Sequence, residues 1–147
     1  ACGILTGGHI ILGLPGETHD TMVAQAGMLS ELPLSTLKIH QLQLIRGTRM
    51  AHEYEENPTG FHLFREVDEY IDLVIDYVEH LHPDLVLERF VSQSPKELLI
   101  APDWGLKNYE FVTRLQKRMK ERGAYQGKKY RDSEKRVIFA EDNFTTE

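Results

Sequence analysis

Two hydrophobic periods alternate along the chain and mark out its elements. Ile4 to Leu14 is an apolar run punctuated by glycine, long enough for a buried strand and too rich in glycine for a stable helix. Leu14-Pro15-Gly16-Glu17-Thr18 supplies a turn and then a helix N-cap at Thr18, followed by Met22, Val23, Ala26 and Leu29 at helical spacing to about Leu32. Pro33 cannot continue that helix, and Leu37 to Leu44 then takes up the two-residue period of a strand. A strand-helix-strand unit sets its strands parallel with the helix on one face of the sheet, which indicates an α/β architecture.

The same reading extends downstream. A short helix is expected past Gly47-Thr48, and Val67, Tyr70, Ile71, Val74, Ile75 and Val78 mark the apolar face of a stronger one. Asp84 to Val91 is a further strand candidate. Leu106 to Gly123 carries Val112, Leu115 and Met119 at helical spacing, with Gly123 as its terminator. From about residue 124 the chain is polar and rich in Gly and Lys apart from Val137-Ile138-Phe139, so this tail is either mobile or held by that tripeptide.

Composition narrows the classes. With 147 residues, 41% of them apolar, the chain can bury one core, and no stretch approaches the roughly 20 apolar residues of a membrane span, so no membrane partner is expected. Cys2 is the only cysteine. One thiol makes neither an internal disulfide nor a metal site, which points to a cytoplasmic protein and to no metal ligands here. The opening at Ala1, without methionine or signal-type segment, reads as the start of a trimmed piece. The net charge of -6 hides a polarity: Arg114 to Arg136 holds ten Lys or Arg against three carboxylates, +7, which leaves -13 elsewhere.

The motifs then carry a family resemblance. His9-Ile10-Ile11-Leu12-Gly13-Leu14-Pro15-Gly16-Glu17-Thr18 is similar to the fifth strand and following turn of radical S-adenosylmethionine (radical SAM) iron-sulfur enzymes, near the oxygen-independent coproporphyrinogen oxidases and elongator-type proteins. Lys38-Ile39-His40-Gln41-Leu42 with Gly47-Thr48 looks like the sixth strand and its exit loop. Glu88-Arg89-Phe90 and Leu98 to Trp104 resemble the YhcC-like bacterial subfamily. The resemblance implies a parallel-sheet fragment of a partial (β/α)6 TIM-like barrel in residues 1–91 and a helical C-terminal extension in 92–147. It implies a parent Fe-S oxidoreductase in which a CxxxCxxC loop holds a 4Fe-4S cluster and S-adenosylmethionine yields a 5'-deoxyadenosyl radical for hydrogen abstraction. This chain has no such loop, so by itself it is expected to bind neither cofactor and to be inactive, its first partner being the missing N-terminal half of its own barrel.

Strand alternation sorts the candidate residues. His9, Ile11 and Gly13 share one face while Ile10 and Leu12 share the other; Lys38, His40, Leu42 and Leu44 share a face opposite Leu37, Ile39, Gln41 and Gln43. The resemblance implies that His9 meets the ribose of S-adenosylmethionine, Ile11 packs on its adenine, Gly13 admits the backbone close to the ligand, and the backbone at Leu42 and Gln43 meets the adenine edge. Without it, His9 and Ile11 read equally as sheet core. Lys38 and His40 are substrate-side candidates for an anionic group, or a solvated strand end. Trp104 reads as a substrate-stacking or a core aromatic. His80 and His82 read as a solvated helix end rather than a metal pair, and Asp20 as a favourable charge at a helix N-terminus beside His19. Lys117, Arg118, Lys120 and Arg122 leave an alternative of a different class open: a non-enzymatic α/β interaction domain whose basic helix binds RNA or a protein partner.

Overall fold

The computed structural model describes residues 3–131. In chain order the elements are β1 (Gly7–Leu12), α1 (His19–Ser30), β2 (Thr36–Gln41), β3 (Leu44–Ile45), α2 (Arg49–Glu56), α3 (Val67–His80), β4 (Val86–Arg89), β5 (Leu99–Ala101) and α4 (Asn108–Arg122). β1, β2 and β4 form a parallel sheet with β2 in the middle. The β1–β2 register runs from Gly7 opposite Thr36 to Leu12 opposite Gln41. The chain is therefore α/β, as its strand-helix-strand pattern requires.

Alternation decides which face is covered. Gly8, Ile10 and Leu12 of β1 and Leu37, Ile39 and Gln41 of β2 turn toward the helices, and Leu12, Leu37 and Ile39 are fully buried. α1 and α3 pack on that side, and α4 packs on α3. The core is centred on Tyr70, Tyr77 and Phe111, which are wholly buried. Burial pushes the Tyr70 and Tyr77 hydroxyls above their ordinary range, so both are neutral at physiological pH.

The turn after β1 is built by Glu17. One of its carboxylate oxygens accepts the N–H groups of Gly13 at 3.0 Å and Leu14 at 2.8 Å, while the other takes the side chain of Gln25 at 2.7 Å. These bonds satisfy amides that leave the sheet ladder, with Met22 Sδ a second acceptor for the Gly13 N–H at 3.2 Å. Thr18 then caps α1 in a capping box with Thr21. Gly13 has φ +92°, and a Cβ there would stand 2.9 Å from Cε2 of Phe64. Protein packing alone thus demands glycine at this position.

Two departures from the sequence reading share one cause. β2 ends at Gln41 rather than running to Leu44, and Leu42 and Leu44 do not stay on the face of Lys38 and His40. Both are buried in a second small core with Leu63 and Ala101, where β3 pairs antiparallel with β5. Tertiary burial overrides the two-residue period once the strand leaves its sheet. β5 has no strand prediction because three apolar residues carry too little pattern. Helix predictions hold to within two residues at most ends, including the Gly123 terminator, which is left-handed at φ +59°.

Ala124–Arg131 returns to the end of α3. The Gly127 and Lys129 N–H groups donate to the Val78 and Glu79 carbonyls, and Gln126 spans the carbonyls of His82 and Leu85. The buried Glu79 carboxylate pairs with Lys128 and Lys129. Residues 132–147, with Val137-Ile138-Phe139, lie outside the described residues.

Gly13→Ala is expected to lower unfolding free energy by about 2–3 kcal/mol, against about 1 kcal/mol for Gly16→Ala, which shares a positive φ but meets nothing within 4 Å. Urea unfolding of the two variants measures the difference, and equal losses would show that Phe64 yields freely.

Candidate functional site

Among the described residues, no helix packs on the other face of the sheet. His9 is exposed and Ile11 is 45% exposed on β1, while Lys38 and His40 on β2 are half-buried. In register, His9 lies beside Lys38 and Ile11 beside His40. The His9 and His40 rings stack with centroids 5.6 Å apart. β4 adds Glu88, whose Oε2 is 3.0 Å from the Lys38 ammonium. Hydrogen bonds from Lys38 and then Thr36 hold the Glu88 carboxyl below the usual carboxylate range. Lys38 therefore carries a carboxylate partner that sequence reasoning missed, for want of any register between β2 and β4.

His40 sits in a positive neighbourhood. Desolvation first, then the charges of His9, Arg89 and Lys38, lower its pKa below the ordinary histidine value of 6.5. Its Nδ1 is 2.8 Å from Ser92 Oγ, which ties the open face to the segment after β4.

That segment is fastened to the exit of β2 by glutamine amides in place of a ladder. Gln41 accepts the Ser92 N–H at 2.8 Å and donates to the Ser92 carbonyl at 3.3 Å, and Gln43 Oε1 accepts from Ser94 Oγ at 2.8 Å. The result is a cleft of about 360 Å³ at the carboxyl ends of β2 and β4, bounded by Gln43, Ser94 and Trp104. The Leu42 N–H already donates to the Leu12 carbonyl at 2.9 Å.

Comparison with known proteins shows the family. The family description "Radical_SAM C-terminal domain" matches residues 34–121. The chain belongs to that family. This Radical_SAM C-terminal domain is 36% identical over 126 residues to an uncharacterized protein, YtqA, of Bacillus subtilis, covering 86% of the chain and 38% of the relative. It is 34% identical over 131 residues to an uncharacterized protein of Methanocaldococcus jannaschii, covering 87% of the chain and 39% of the relative. YhcC of Escherichia coli is 24% identical over 122 residues, covering 82% and 38%. The chain thus spans less than two-fifths of these curated relatives. Its fold resembles that of an archaeal Methanocaldococcus infernus Elp3 with an N-terminal deletion, with a TM-score of 0.67 at 14% identity over 84% of this chain and 28% of the other.

The remaining candidates of the Radical_SAM C-terminal domain go to separate places. Trp104 is tied into the core while also lining the cleft: its ring lies 5.2 Å from Tyr70, and its indole N–H donates to the Phe64 and Arg65 carbonyls at 2.9 and 3.1 Å. His80 Nδ1 meets the Asp76 carbonyl at 2.7 Å while His82 Nδ1 accepts the Asp84 N–H at 3.1 Å, so the two imidazoles serve different caps. Among the described residues no three His, Cys, Asp or Glu converge as metal ligands, and no helix is long and apolar enough to cross a membrane. His19 reaches Asp76 at 3.0 Å, and Asp20 stands in the first turn of α1. On α4, Arg118 grips Asp72 through two 3.0 Å bonds and Arg122 reaches Asp72 and Asp76, while the ion pairs of the described residues engage neither Lys117 nor Lys120.

The lowered His40 pKa sets a sign for pH. Below about 6.5 the unfolded chain binds a proton at this residue that the folded chain resists, so His40 draws stability down as pH falls through that window. His40→Gln is expected to flatten the loss of Tm between pH 7.5 and 5 relative to the unaltered chain, measured by circular dichroism. An unchanged pH profile would mean that the ring is solvated as in the unfolded state.

Proposed function

We propose that this domain is the closing part of a radical SAM Fe-S oxidoreductase, and that its bare sheet face is the inner wall of a partial barrel completed by the rest of a longer protein. The observation that carries the reading is the asymmetry of the sheet. One face is packed by α1 and α3, while the other sets apolar Ile11 and Val86 in the open beside His9, Lys38 and His40. A branched apolar side chain 45% exposed in mid-strand gains about 1 kcal/mol or more by being covered.

The residues suit a nucleoside-bearing cofactor. Ile11 offers an adenine-sized apolar contact, and the imidazoles of His9 and His40 offer donors and acceptors to a ribose or a carboxylate. Bound S-adenosylmethionine would supply a 5'-deoxyadenosyl radical for hydrogen abstraction from a substrate. The sequence does not fit the 4Fe-4S cluster itself: one cysteine cannot provide three thiolates, so those ligands belong to the longer protein. The work of this chain is to bind and orient, to keep His40 neutral, and to hold Lys38 against Glu88 on a wall from which the completed barrel excludes water. The alternative of RNA binding through α4 has less support, because Arg118 and Arg122 are engaged by α3.

Anaerobic reconstitution of the longer protein is expected to give S-adenosylmethionine binding and, under reduction, 5'-deoxyadenosine. Ile11→Asp should weaken that binding at least about tenfold, or about 1.4 kcal/mol, while Lys117→Gln leaves it unchanged. A reconstituted protein that neither binds nor cleaves the sulfonium would remove the reading.

A further inference from the structure

Lys38 answers to Glu88, so the cation that the sequence offers on the open face is already compensated. The cleft at the carboxyl ends of β2 and β4 is different. Lys96 and Lys107 both line it, and the lysine ion pairs of the described residues engage Lys38, Lys128 and Lys129 but neither of these two. Asp103 is the one carboxylate in the lining, and its Oδ1 is occupied by the Gly105 N–H at 3.0 Å.

The neutral groups carry the same bias. Gln43 has its Oε1 filled by Ser94, so the amide NH2 is the end left to a ligand. Lys107 is the N-cap of the 15-residue α4, and its backbone N–H is already taken by the Glu110 carboxylate at 2.8 Å, so its side-chain ammonium is the group it offers to the cleft. Through Ser92 the cleft adjoins the half-buried His40 ring. Two lysines against one carboxylate thus line a cleft where α/β sheets commonly hold ligands, outside the carboxyl ends of parallel strands.

We propose that this cleft receives an anionic group of the substrate, a phosphate or a carboxylate, held by Lys96 and Lys107 with Gln43 as a further donor. This rests on the reading above, and it adds a substrate class: a molecule with an anionic handle that anchors in the C-terminal cleft while its reacting part extends along the open face.

The longer protein tests it by isothermal titration with inorganic pyrophosphate and with citrate at low and moderate salt, alongside S-adenosylmethionine. One or both anions should bind saturably, more weakly as salt rises. The double variant Lys96→Gln, Lys107→Gln should lose that binding by about tenfold or more while keeping its S-adenosylmethionine affinity. Binding of pyrophosphate alone identifies a phosphate handle, and of citrate alone a carboxylate one. Absence of binding to either anion, or equal binding by the double variant, overturns the proposal. Loss of S-adenosylmethionine binding with anion binding intact would instead bring down the functional reading and leave the cleft standing.

Discussion

The parallel pairing of β1 with β2 is the constraint from which the rest follows. Once Leu12 lies opposite Gln41 and Ile10 opposite Ile39, the period of a strand sends Leu12, Leu37 and Ile39 under the helices and leaves His9, Ile11, Lys38 and His40 on the other side. A slip of β2 by one residue would bury the His40 imidazole and the Lys38 ammonium and expose Leu37 and Ile39, at a cost no local interaction offsets. The register and the chemistry of the open face are therefore a single fact.

Glu17 extends that constraint to the loop. Its carboxylate gathers the amides at the end of β1, and Gly13 lets the chain turn against Phe64 before α1 begins at its Thr18 cap. The helix then returns over the buried face and delivers β2 in parallel. At the far end, Gln41 and Gln43 replace lost backbone pairing with side-chain amides, which lets the chain after β4 swing out and open a cleft without leaving Ser92 unsatisfied. Positioning and opening are achieved by the same residues.

Much of this was legible in the sequence because it rests on local periods. The strand-helix-strand unit, the Thr18 and Gly123 caps, and the sorting of His9 with Ile11 and Lys38 with His40 all follow from spacing alone. Leu42 and Leu44 escaped because a second core, built with Leu63 and Ala101 from distant segments, claimed them. The Lys38–Glu88 pair, the Ser92 contact with His40 and the engagement of Arg118 by Asp72 join residues 46 to 52 positions apart. No periodicity encodes such pairs. Trp104 was ambiguous for a related reason: its role is set by Tyr70 and by two carbonyls, none of them its neighbours in sequence.

The proposed function is at root spatial: it sets a nucleoside on the open face of this sheet. A crystal structure of the longer protein with S-adenosylmethionine measures it most directly. The account predicts the adenine within about 4 Å of the Ile11 side chain, on the side of His9 and His40. A nucleoside bound elsewhere, with that face filled by the protein's own side chains, would contradict it.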